Sequence, residues 1–159
     1  MPSLKSILAA LLGGSVIFFS AALGPLCRGE ESTPQERCLQ ILSRIHKEVK
    51  ELGPYPGQDF IAWDFFIGQD DDDTNKNIHA HVLIQSREEG ERMALLINRL
   101  EPSPHDPKIL LSKESREISC LVKDGRAEIV SSAYASEELE RLLRGLLRAI
   151  KDKKKLLNR

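Results

Sequence analysis

The chain has 159 residues, 41% of them apolar and 30% charged, with 24 acidic against 23 basic side chains. That balance excludes the strong positive field of a nucleic-acid binder and the charge excess of a disordered chain, and it fits a globular domain. Beyond an apolar N-terminal stretch, the remaining length suits one domain rather than two.

Residues 6–26, SILAALLGGSVIFFSAALGPL, carry no charge. As a helix rising about 1.5 Å per residue, the run matches the roughly 30 Å hydrocarbon core of a bilayer. Lys5 ahead of it, with Ser20 and Ala22 near its end, also fits a signal peptide cut after Ala22. Residues 1–26 are therefore expected to be a transmembrane anchor or a signal peptide. Lys5 and the amino terminus precede the run while Arg28, Glu30 and Glu31 follow it, so the positive-inside rule puts the N-terminus in the cytoplasm. The domain is then extracytoplasmic, either on a single-pass anchor or secreted or periplasmic after cleavage.

Residues 27–33 form a polar linker, and 34–159 a single α+β domain. Thr33-Pro34-Gln35-Glu36 is a capping box with Pro at the first helical position. Cys38, Ile41, Leu42, Ile45, Val49 and Leu52 follow at helical spacing until Gly53-Pro54 stops the helix. After a turn at Tyr55-Pro56-Gly57, Phe60–Ile67 alternates as a strand with two largely apolar faces. Residues 69–77 are polar and include Asp70 to Asp73, and Ile78–Gln85 alternates again, so the two strands read as a hairpin with a long acidic loop.

Ser86-Arg87-Glu88-Glu89 offers a second capping box, with Met93, Leu96, Ile97 and Leu100 at helical spacing, which gives a helix over 87–100. Gly90 in its first turn leaves a strand open as the alternative. Pro102, Pro104 and Pro107 end the element, and short strands follow at about 108–113, 116–122 and 126–132. Asp124-Gly125 marks a tight hairpin turn between the last two. Ser136 caps a final helix, acidic at its start and basic at its end, with Leu139, Leu142, Leu143, Leu146, Leu147 and Ile150 in one stripe that packs on the sheet or on a partner. The expected order is α-β-β-α-β-β-β-α with a mainly antiparallel sheet.

Over residues 6–68, an N-terminal span followed by a helix ending in Leu52-Gly53-Pro54 and the start of a β-rich domain looks like the order of single-span mitochondrial cytochrome oxidase assembly factors. The likeness lies in element order without a shared motif, it implies a strand at 91–101, and no family is assigned on it.

Candidate chemistry is sparse. His79-x-His81 places two imidazoles on one face of a strand, where Asp64 of the neighbouring strand, or Asp70 to Asp73, could complete a divalent-metal site. The aspartate run itself lacks the Gly and Glu positions of a calcium loop and reads as a solvated loop tip. No nucleophile, phosphate-binding or zinc-protease motif occurs. Cys27 and Cys38 are near enough in sequence for a disulfide, while Cys38 and Cys120 read equally as buried small hydrophobes. Lys151 to Arg159 reads as a solvated helix end or as a contact for anionic lipid or an acidic partner.

The expectation is a non-enzymatic, membrane-anchored or exported domain. It touches the membrane through residues 6–26 and binds another protein, or a second copy of itself, through an exposed sheet edge or through Leu139, Leu142, Leu146 and Ile150. No nucleic-acid partner and no cofactor are expected. The alternative is a metal-dependent hydrolase or metal-binding protein built on His79, His81 and Asp64.

Overall fold

The computed structural model describes residues 31–54, 57–68 and 77–159. The apolar stretch, Cys27 and the Asp70–Asp73 run lie outside the described residues. Thr33–Arg159 forms one compact unit. No helix among the described residues is long and apolar enough to cross a membrane.

Helix α1 spans Pro34–Leu52 and starts on the expected box: Thr33 Oγ1 accepts from the Glu36 amide at 3.2 Å, and Glu36 Oε2 accepts from the Thr33 amide at 2.8 Å. Gly53 ends it with φ 75°, a left-handed value that favours glycine, and its amide donates to the Lys50 carbonyl. Five strands follow, β1 Ile61–Ile67, β2 Ile78–Arg87, β3 Gly90–Pro102, β4 Leu110–Lys123 and β5 Arg126–Ser132. They pair in sequence order as one antiparallel sheet, and helix α2, Ser136–Leu157, closes the chain.

The α+β class and antiparallel sheet agree with the sequence reading, but the order is α-β-β-β-β-β-α. Residues 87–100 are not a helix. Glu88 and Glu89 make a tight turn, Gly90 pairs back to Arg87, and Met93, Leu95 and Ile97 alternate into the core. The apparent helical stripe arose because Leu96 is an apolar residue on the opposite, open face. Ser86 pairs with Glu91 and caps nothing.

The expected strands at 108–113 and 116–122 are one strand, β4. Its first half pairs with the far end of β3 beyond the helix-covered part of the sheet, so both faces are exposed and the buried alternation begins only after Glu114, which resembled a break. Ser136 is likewise not the cap of α2. Ala135 occupies that position without a side-chain hydrogen bond, and the Ser136 carbonyl accepts from the Cys38 thiol at 3.3 Å.

Both helices lie on one face of the sheet and run parallel to each other. Arg37 pairs with Glu140 at their starts (3.0 Å), and Lys154 pairs with Glu48 (2.6 Å) and Glu51 at their ends. Between helices and sheet lies a single core: Leu42, Ile45 and Val49 of α1, Leu143, Leu146 and Ile150 of α2, and Val82, Met93, Leu95, Ile118 and Cys120 of the sheet. Trp63 Nε1 donates to the Gly53 carbonyl at 2.9 Å and so fixes the end of α1 to β1. Gly145 lets α2 approach β1, since a Cβ there would stand 2.7 Å from Ile67 Cγ2. The hairpin between β4 and β5 turns on Asp124 (φ 51°) and Gly125 (φ 74°), as the Asp-Gly pair suggested.

Candidate functional site

The face of the sheet opposite the helices is covered by no described element. Period-two alternation sends Asp64 and Phe66 of β1, His79, His81 and Leu83 of β2, Leu96 and Asn98 of β3, and Ser115 and Leu121 of β4 to this face. Phe66 is 51%, Leu96 39% and Val130 of β5 69% exposed. An antiparallel sheet can leave one face to solvent, but that face is then normally polar. Here large apolar side chains alternate with a connected polar row.

That row begins at the residues picked out as metal ligands. Asp64 lies across from His81 in register, and Asp64 Oδ1 accepts from His79 Nε2 at 2.8 Å and from His81 Nδ1 at 2.9 Å. With Nε2 donating, His79 Nδ1 accepts from Asn98 Nδ2 at 3.3 Å. Asn98 Oδ1 in turn accepts from Ser115 Oγ at 2.5 Å, and Ser112 Oγ lies 3.3 Å from Ser115 Oγ. The chain of donors therefore runs from Ser112 through Ser115, Asn98 and His79 to one carboxylate. Asn98 and Ser115 were not found from sequence, because their place beside His79 depends on residues 90–102 being a strand.

The sheet thus brings Asp64, His79 and His81 together, but through hydrogen bonds. Both ring nitrogens of His79 are engaged, and the Asp64 oxygen occupies the point on which the imidazoles converge. Among the described residues, no group of three or more His, Cys, Asp or Glu side chains is arranged to hold a metal ion. Burial raises the Asp64 pKa, but the hydrogen bonds from His81 and His79 outweigh it and hold the carboxyl below its usual value. The folded pKa is depressed, so the contribution to stability is present above about pH 3.9 and is lost as pH falls through the folded value.

The other candidates are placed as follows. Leu139, Leu146 and Ile150 are buried against the sheet and Leu142 is half-buried, so the α2 stripe packs on its own sheet rather than on a partner. Cys38 and Cys120 are free, buried thiols, and burial pushes the Cys120 pKa up to about 12, which suits a core residue and not a nucleophile. In the basic end of α2, Lys153 Nζ donates to the Asp64 carbonyl at 2.9 Å and sits over the Trp63 and Phe65 rings at 4.8 and 5.2 Å. With Lys154 bound to Glu48 and Glu51, two of the charges there are committed within the domain.

His46 was not singled out from sequence, since its position on α1 gives no apolar signal. Its side chain is 8% exposed, and Nε2 lies 2.8 Å from Glu91 Oε2, out of line for a good hydrogen bond. Burial lowers its pKa, with Glu91 opposing. The folded value lies below the unfolded value of about 6.5, so stability is full above that pH and falls as pH drops through the folded value. His46→Gln should flatten this dependence: the urea midpoint of the parent falls between about pH 7.5 and about pH 5.5, and that of the variant changes less.

Comparison with protein-family models, with curated proteins and with solved structures finds no match to this chain.

Proposed function

We propose that residues 27–159 form a non-enzymatic, extracytoplasmic protein-binding domain, held at a membrane by residues 6–26 or exported after their removal, and that the open face of the sheet is its contact surface. The observation that carries this reading is the exposure of Phe66, Leu96 and Val130 on a sheet whose other face packs against α1 and α2. Apolar anchors set among polar groups are the usual make-up of a protein contact, and a row largely hydrogen-bonded within itself asks few new partners of whatever covers it.

Leu96→Glu combined with Val130→Glu tests the reading. On native gels of mildly solubilised membranes or of the exported fraction, the parent should migrate in a larger species, with another protein or with a second copy. The variant should run as the free chain with an unchanged melting temperature. A parent that runs as the free chain, or a variant that keeps the larger species, contradicts the reading. The location has its own test in the mass of the mature N-terminus and in alkaline extraction. An intact N-terminus in the pellet marks an anchor, a start near Leu23 in the supernatant marks export, and an intact chain in the cytosolic fraction contradicts both.

A second reading rests on the contact of Asp64 with both His79 and His81. A divalent ion would have to replace the two hydrogen bonds to Asp64, with the imidazole protons held on the other ring nitrogens. Equilibrium dialysis against zinc or copper should then give one ion per chain, lost in the His79→Ala, His81→Ala variant. Absence of binding by the parent at neutral pH removes this reading.

A further inference from the structure

A cleft of about 500 Å³ opens on the helix-covered side of the sheet, between the first turns of α2 and the ends of β1 to β4. The volume is that of a small-ligand site. Its floor is apolar, with Ile67 and Ile97 of the sheet and Leu142 of α2. Among the described residues its rim carries three guanidinium groups, Arg99, Arg116 and Arg141, against two carboxylates, Glu114 and Glu138.

The two carboxylates are not equally available to the three cations. Arg116 Nε is 2.7 Å from Glu114, its Nη1 is 3.8 Å from Glu138, and its guanidinium lies 5.0 Å above the Tyr134 ring. Both carboxylates are thus drawn to one arginine. Arg99, although Glu114 is its cross-strand neighbour, and Arg141 make no ion pair among the described residues.

We propose that this cleft binds a singly charged amphipathic carboxylate, its apolar part on Ile67, Ile97 and Leu142 and its carboxylate at Arg99 and Arg141. The forked, planar guanidinium matches a planar carboxylate with two parallel hydrogen bonds. Among the described residues the rim has one net positive charge, which one negative charge neutralises, whereas a dianionic phosphate would face Glu114 and Glu138 with charge to spare. The carboxylate belongs either to a free fatty-acid-like molecule or to the C-terminus of a peptide ending in an apolar residue. The site faces away from the open sheet surface, so it stands or falls independently of the proposed protein contact.

Photolabelling of the full chain tests this. The probes are a ten-carbon fatty acid bearing a diazirine, its methyl ester, and a short peptide ending in diazirine-leucine with a free or an amidated C-terminus. The acid form of at least one probe should label the cleft about tenfold more than its neutral partner, as expected for loss of one charge-assisted hydrogen-bonded pair. Arg99→Gln with Arg141→Gln should abolish that preference. Labelling by the fatty acid alone identifies a small amphiphile, and labelling by the free peptide alone a chain terminus. Equal labelling by acid and neutral forms overturns the proposal, as does an acid preference unchanged in the double variant. If the double variant melts below the parent, Arg141→Lys is read in its place: it keeps the charge but not the fork, should reduce the preference, and counts against the proposal if it does not.

Discussion

Gly90→Ala is expected to destabilise the domain by about 2–6 kcal/mol, a large part of the roughly 5–15 kcal/mol that holds such a domain folded. Two costs add. At φ 144° the backbone is in a region that residues with a Cβ rarely adopt, at about 1–3 kcal/mol. The new Cβ would also stand 2.8 Å from the Val122 carbonyl oxygen, a backbone atom that moves only if β3 and β4 separate, which adds about 1–3 kcal/mol. The urea midpoint should fall without a change in slope, and a loss below about 1 kcal/mol would show that the turn relaxes freely.

The second large effect is a contrast between two leucines. Leu143 on α2 is 0% exposed and Leu96 on β3 is 39% exposed. Leu143→Ala removes a packed side chain from between helix and sheet and should cost about 2–5 kcal/mol, in proportion to the cavity left. Leu96→Ala should cost less than about 1 kcal/mol in the isolated chain, because its surface is largely wet already. Similar losses at the two sites would mean that the far face of the sheet is covered, and the proposed contact surface would then not exist.

Those two residues also show what could be read from sequence and what could not. Helix α1 was legible because capping chemistry and apolar spacing agreed at Thr33 and Glu36, and α2 from apolar spacing alone, since Leu139, Leu143, Leu146 and Ile150 line one side while Ser136 does not cap it. The β4–β5 turn was legible because Asp124-Gly125 takes a backbone that few other pairs tolerate. Residues 87–100 were not. A strand with Leu96 on an exposed face imitates a helical stripe, and no local rule separates an apolar residue that is buried from one left open. That misreading hid Asn98, and with it the path from Ser115 to His79. The pair His79 and His81 with Asp64 was legible as a neighbourhood, since adjacent strands of a hairpin must place them together. Their direct hydrogen bonding depends on register and side-chain direction, which spacing does not convey. His46 was hidden for a related reason: a polar residue next to an apolar stripe is buried only if the start of β3, at Glu91, comes up against it.

The fold has one face committed to its core and one left open, and the central claim is that the open face meets another protein. Site-specific photocrosslinking from benzoylphenylalanine, placed in the full chain at Phe66, Leu96 or Val130 and at Lys47 or Lys151 on the exposed sides of the helices, tests it directly. The account expects one discrete adduct of constant added mass from the three sheet positions and none from the two helix positions. Adducts of equal yield from both faces, or from the helix positions alone, would contradict it.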